Sequence, residues 1–125
     1  MAQLIVTAIG KDRPGLVGEL TGHLHAAGAN ILDSRMVNLR GQFAVIVLLE
    51  AANTAELKSS LPVAAGKMGL SLSIAPEPAA GAAITTGIGY KLKTYSLDQP
   101  GLVHKISEVL RGYGVNIEDL SARQE

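Results

Sequence analysis

The N-terminal part of the chain moves between two hydrophobic rhythms. Leu4 to Ile9 is a run of β-branched and aliphatic residues and predicts a strand. From Leu16 the apolar positions fall at Leu16, Val17, Leu20, Leu24 and Ala27, which line one face of an α-helix. Between them lies the turn Asp12-Arg13-Pro14-Gly15. Pro14 suits the first helical turn, where a missing N–H costs nothing, and Gly28 suits the C-terminal stop. Asn30 to Leu39 reads as a second strand, Arg40-Gly41-Gln42 as a tight turn, and Phe43 to Leu49 as a third strand. Asn53 then opens a second helix, with Glu56 at the capping-box spacing. Leu57, Leu61, Ala64, Ala65 and Met68 keep the helical period. Pro62 falls inside it and predicts a kink or a break. Gly69 ends the helix, and Leu70 to Ile74 is a fourth short strand.

The order β-α-β-β-α-β over residues 3–76 predicts a ferredoxin-like α+β sandwich, an antiparallel sheet with two helices on one face. The first and third strands are then the central pair. Phe43 to Leu49 is apolar on both faces, and Leu4 to Ile9 largely so. Since the helices cover one face only, the other is left apolar. It predicts an association surface for a second module or a partner subunit.

Residues 77–89, rich in Pro, Gly, Ala and Thr, read as a linker. The pattern then restarts. Tyr90 to Leu97 alternates like a strand, and Leu102, Val103, Ile106, Leu110 and Tyr113 reproduce the first helix face. "DRPGLV" from Asp12 returns as "DQPGLV" from Asp98. Gly114, Asn116, Ile117 and Asp119 match Gly28, Asn30, Ile31 and Asp33 at a constant offset of 86, with ten of 22 aligned residues identical. This is the mark of an internal repeat. Residues 90–125 are expected to be the N-terminal half, β-α-β, of a second copy. Its third strand, second helix and fourth strand are absent, and two strands without the one between them close no core. A fragment of a longer chain is the favoured explanation, completion by another subunit the other.

Composition narrows the function. The 125 residues carry 11 basic and 11 acidic side chains, a formal net charge of zero. That removes the footprint of a nucleic-acid or polybasic membrane binder. The absence of Cys rules out disulfides, thiolate metal sites, Cys nucleophiles and a copper-carrier role. No leader pattern is visible, and the longest apolar run is too short for a bilayer, so a cytoplasmic protein is expected. With one Phe, three Tyr and no Trp, the aromatic strands of an RNA-binding module are missing. A small acylphosphatase would need a glycine-rich phosphate cradle around Arg13, and none is present. With no nucleophile–base pair, no catalytic residue, metal or cofactor is expected.

His23 and His25 lie two apart on a helix and share no face, unlike a metal pair. His104, in the first turn of the repeated helix, flanks an anion-binding end. Gly87-Ile88-Gly89 precedes a strand rather than following one, so it is no dinucleotide loop. Asp33, Arg35 and Arg40 read as edge-strand charge.

The repeated turn has two readings. An Asp before Pro-Gly can cap the helix by accepting from orphan N–H groups. Gly15 and Gly101 can also leave room for a ligand at an open helix N-terminus, with Asn30 and Asn116 placed beside the loop as donor and acceptor. Such groups could grip the two ends of a free amino acid.

"DRPGLVGELTGHLHAAGANILD" resembles the opening of an ACT domain, the small amino-acid-sensing regulatory module. The resemblance covers one full module and half of a second. The tandem arrangement with its "DRPGLV" form is similar to the glycine cleavage system repressor group of ACT proteins. It implies that modules pair through sheets or helices as homo-oligomers, and that a small ligand of the glycine or serine class sits at an interface near the first strand–helix loop. It places Asp12, Arg13, Pro14, Gly15, Leu16, Asn30 and Ile31 on the ligand side, with Asp98, Gln99, Pro100, Gly101, Leu102, Asn116 and Ile117 as counterparts. Arg13 becomes Gln99, so a charge contact there belongs to the first copy alone. No DNA-binding helix-turn-helix is visible, so action through a regulatory protein partner is implied. A structural pairing domain without a ligand is the competing expectation.

Overall fold

Alternation along the first strand sets the core. In the computed structural model, which describes residues 2–76, 88–94 and 101–122, β1 (Ala2–Lys11) buries Leu4, Val6 and Ala8 and leaves Thr7 and Ile9 exposed. The chain divides into two units, Met1–Ala80 and Gly81–Glu125.

In the first unit β1 is followed by α1 (Leu16–Ala26), β2 (Asn30–Leu39), β3 (Gln42–Ala51), α2 (Thr54–Lys67) and β4 (Leu70–Pro76). The sheet is antiparallel with order β2-β3-β1-β4, so β1 and β3 are the central pair. They are longer than the apolar runs suggest, because their ladder continues to Ala2↔Ala51 at one end and Lys11↔Gln42 at the other. This is the expected ferredoxin-like sandwich. Leu16, Leu20 and Leu24 of α1 and Leu57, Leu61 and Ala65 of α2 are at most 1% exposed and close on Phe43, Val45, Val47 and Leu49 of β3. Each such Leu contributes about 1.5–3 kcal/mol relative to an exposed one.

The connections follow local chemistry. Leu39↔Gln42 closes the β2–β3 hairpin around Arg40 (φ 49°) and Gly41 (φ 85°). Two positive φ angles make a type I′ turn, whose twist matches the strands. A bulge lies between Ile31 and Asp33 of β2. At the start of α2 the Asn53 side chain accepts from the Glu56 N–H at 3.0 Å. The Glu56 carboxylate returns to the Asn53 amide group at 3.4 Å, where a full capping box would reach the backbone.

Two expectations are corrected here. Of the kink or break expected at Pro62, the break does not occur, and α2 runs through it. Pro62 is exposed, so water can satisfy the carbonyl left without a donor, while Leu57, Leu61 and Ala65, all at 0% exposure, fix both halves of the helix. Replacing Pro62 with Ala is expected to raise stability by about 1–2 kcal/mol, the regained helix bond exceeding the lost chain stiffness. An unchanged or lower urea midpoint would show that the ring itself packs favourably.

In the second unit, α3 (Leu102–Gly112) forms as expected. Tyr90–Thr94 and Asn116-Ile117 are not in strands, and residues 95–97 lie outside the described residues. The physical reason is in the first unit. There β1 and β2 each pair with β3 and never with each other. Among the described residues of the second unit there is no strand in the place of β3 for these segments to hydrogen-bond. No residue of α3 is buried. No helix among the described residues is long and apolar enough to cross a membrane.

Candidate functional site

The loop from Asp12 to Gly15 leaves the end of a central strand and is held on three sides. The Asp12 N–H donates to the Gly41 carbonyl at 2.9 Å, fastening the loop to the hairpin turn. The Leu16 N–H donates to Arg13 O at 3.3 Å and closes the turn around Pro14. Arg13 Nη2 meets Glu19 Oε2 at 2.6 Å, with both side chains more than two-fifths exposed. A pair so exposed is worth about 0.2–1 kcal/mol, so it orients Arg13 more than it stabilises the fold.

The helix starts later than expected, at Leu16, with Pro14 in the preceding turn. Gly15 sets this boundary. Its φ of 84° lies in the left-handed region, which a side chain disfavours. The Glu19 N–H donates to Gly15 O at 3.0 Å, the first bond of the helix. A Cβ at Gly15 would meet nothing within 4 Å, so the face above this glycine is open.

Asp12 does not cap α1, which has no side-chain cap. Its carboxylate instead accepts from the Asn38 Nδ2 of β2. Asn38 Oδ1 in turn accepts from the Gly41 N–H at 3.1 Å. Sequence reasoning missed Asn38. The available signal was an Asn shortly before a two-residue turn, a common place for a side chain to bond the backbone.

The other predicted positions do not all gather here. Leu16 is 1% exposed and points into the core, so only its backbone belongs to the loop. Asn30 is not beside the loop. It pairs with Glu50, which pairs with Gln3, whereas Asp12 follows Lys11 at the opposite end of β1. Eight strand rises separate these ends, about 27 Å. The reason is the crossover: α1 carries the chain back along the sheet before β2 begins. Asn30 Nδ2 donates to Glu50 Oε1 at 3.4 Å. Ile31, beside it, packs against the core. Gly18, Thr21 and Gly22 of α1 and Ala29, Asn30 and Ile31 line an open groove of about 490 Å³ at that end. The i, i+4 glycines on α1 were its sequence signal.

In the second unit Asp98, Gln99 and Pro100 lie outside the described residues. Gly101 has φ 79° and nothing within 4 Å of a built Cβ, as at Gly15. The Lys105 N–H donates to its carbonyl at 3.0 Å. Leu102 is half-buried, and His104 and Asn116 are exposed. Ile117 is among the exposed large hydrophobic residues.

The sheet face away from the helices carries Ile9 (54% exposed), Ile46 (47%) and Val37 (57%) around Thr7 and Ala44, with Arg35 beside them and Ser71 and Ser73 on β4. Its centre is apolar, and it forms a shallow concavity of about 480 Å³. Among the described residues, no group of three or more His, Asp or Glu is placed to hold a metal ion.

Residues 2–75 match the ACT domain family. The chain is 29% identical over 129 aligned positions to the glycine cleavage system transcriptional repressor of Escherichia coli K12, covering 98% of this chain and 65% of that protein. It thus spans about two thirds of the length of that relative. A crystal structure of an unknown protein from Galdieria sulphuraria superposes with a TM-score of 0.69 at 26% identity, over 96% of this chain and 69% of the other. An ACT domain protein from Streptococcus pneumoniae gives 0.54 at 20% identity, over 60% and 89%.

Proposed function

The chain belongs to the ACT domain family, and from that premise we propose that it is a regulatory protein which holds a small free amino acid between modules and acts through a protein partner. The observation that carries this reading is the pair of open helix starts. Gly15 and Gly101 stand at matching positions, both left-handed, both with free space above the Cα. A backbone stripped of side chains at a helix N-terminus suits a carboxylate, which the helix dipole also favours.

The separation of Asp12 from Asn30 along the strands, about 27 Å, sharpens the proposal. One module cannot grip a ligand as small as glycine with both. A site using both residues takes the loop from one copy of the chain and Asn30 from a second copy. The apolar sheet face offers a surface for such association. The tandem arrangement, the homo-oligomer, the cytoplasmic location and a role like that of the glycine cleavage system repressor are parts of the same proposal. The tandem arrangement and the repressor-like role are supported by the alignment to that repressor over nearly the whole chain.

One observation favours the second reading, a pairing domain without a ligand. Both charged side chains of the loop are already engaged inside the module, Asp12 by Asn38 and Arg13 by Glu19. Calorimetric titration with free amino acids, glycine and serine first, separates the two. Saturable heat with one member is the expected result. A flat response to every member of the panel overturns the ligand reading and leaves the pairing domain.

A further inference from the structure

We infer that Asn38 is the positioning residue of the Asp12–Gly15 loop, so that the edge strand β2 sets the shape of the loop. The geometry rests on one side chain used twice. Asn38 lies opposite the buried Phe43, so its side chain stands on the helix-covered face, where the β1–α1 loop departs. Its oxygen accepts from the Gly41 N–H and its nitrogen donates to the Asp12 carboxylate. Gly41 O then accepts from the Asp12 N–H. The three bonds form a closed ring between strand, hairpin turn and loop.

Only a group that both donates and accepts can hold this position. A carboxylate there could cap the Gly41 N–H but would face Asp12 with like charge, and an ammonium could only donate. The ring also accounts for the use of Asp12. Its carboxylate is occupied in shaping the loop, which leaves the backbone around Gly15 as the part turned outward. The inference deepens the ligand-loop reading above and rests on it for its functional meaning, but the ring itself can be tested without a ligand.

The test is a reciprocal swap, read by amide hydrogen exchange on the full chain. Asn38→Asp keeps the acceptor for Gly41 and breaks the bond to Asp12. Exchange at the Asp12 amide should rise at least tenfold, while the core amides of Val6 and Val47 stay unchanged. Adding Asp12→Asn restores a donor–acceptor pair with the roles exchanged, and exchange should return to within about twofold of wild type. Should Asn38→Asp fail to fold, Asp12→Ala breaks the same bond from the loop side and should give the same rise. Unchanged exchange in the single variants, or a swap that adds the two losses, overturns the inference. Glycine titration of the same proteins is the second readout, with affinity lost at least fivefold in the single variant and regained in the swap. If the wild type takes up no amino acid, the ligand reading fails while the exchange data still decide the role of Asn38.

Discussion

Gly10→Ala should lower the unfolding free energy by about 2–3 kcal/mol, at the upper end of what overpacking costs. A Cβ built on Gly10 would clash with the Gly69 carbonyl oxygen and stand 2.9 Å from Leu70 Cδ2. The first of these atoms is backbone and cannot rotate away. Gly69 is itself held left-handed at φ 77°, with its N–H donating to Gly66 O at 3.2 Å. The turn from α2 into β4 therefore has little freedom to retreat. Gly10 also stands between Phe43 on β3 and Leu70 on β4, so a displaced β1 would strain both ladders. For a domain of this size the midpoint temperature should fall by roughly 10–15 °C. Urea denaturation and a thermal scan of the two proteins measure it. A variant with the wild-type midpoint would show that β1 and the turn do not approach so closely.

Gly15→Val should abolish amino-acid binding, with an affinity loss of at least a hundredfold, and Gly15→Ala should lose at least tenfold. The left-handed backbone makes any side chain at this position cost about 1–2 kcal/mol of stability. Spatially the variants are tolerated, since nothing lies within 4 Å. Stability and affinity are then separable with a matched control. Gly69 has a similar φ and equally free surroundings, so Gly69→Ala carries comparable strain. Titration of both alanine variants beside their urea curves should show similar stability losses and a binding loss only at position 15. Equal affinity in both would remove the loop backbone from the site. Equal losses in both would assign the effect to strain.

The core was legible because it depends on periodicity alone. Leu16, Leu20 and Leu24 recur at helical spacing, and Leu4 to Ile9 and Phe43 to Leu49 stand out as apolar runs, whatever lies opposite them. The Arg40-Gly41 turn was legible for the same reason, as hairpin chemistry is confined to adjacent residues. The candidate loop was legible as a turn but not as a site. Whether Asp12 caps a helix or meets Asn38 depends on a residue 26 positions away. Local propensity favours the cap, and tertiary contact decided against it. Gly10 carried no signal of its own, lying just past the apolar run Leu4 to Ile9. Its close approach to Gly69 exists only once β1 and β4 are paired. Pro62 looked like a breaker because helix propensity ignores the core that holds both halves of α2 together.

The sequence by itself determined the order of elements, the central strands, the helix faces that meet the core and the likeness of the two glycine-led turns. These rest on contacts between near neighbours and on which side chains avoid water. The tertiary structure alone decided that Asp12 answers to Asn38, that Asn30 stands at the far end of the sheet from the loop, and that α3 forms while the described residues Tyr90–Thr94 and Asn116-Ile117 are in no strand. Each of these turns on a partner distant in the chain. A helix closes its own hydrogen bonds, whereas a strand, a loop anchor or a ligand corner takes its form from what stands beside it.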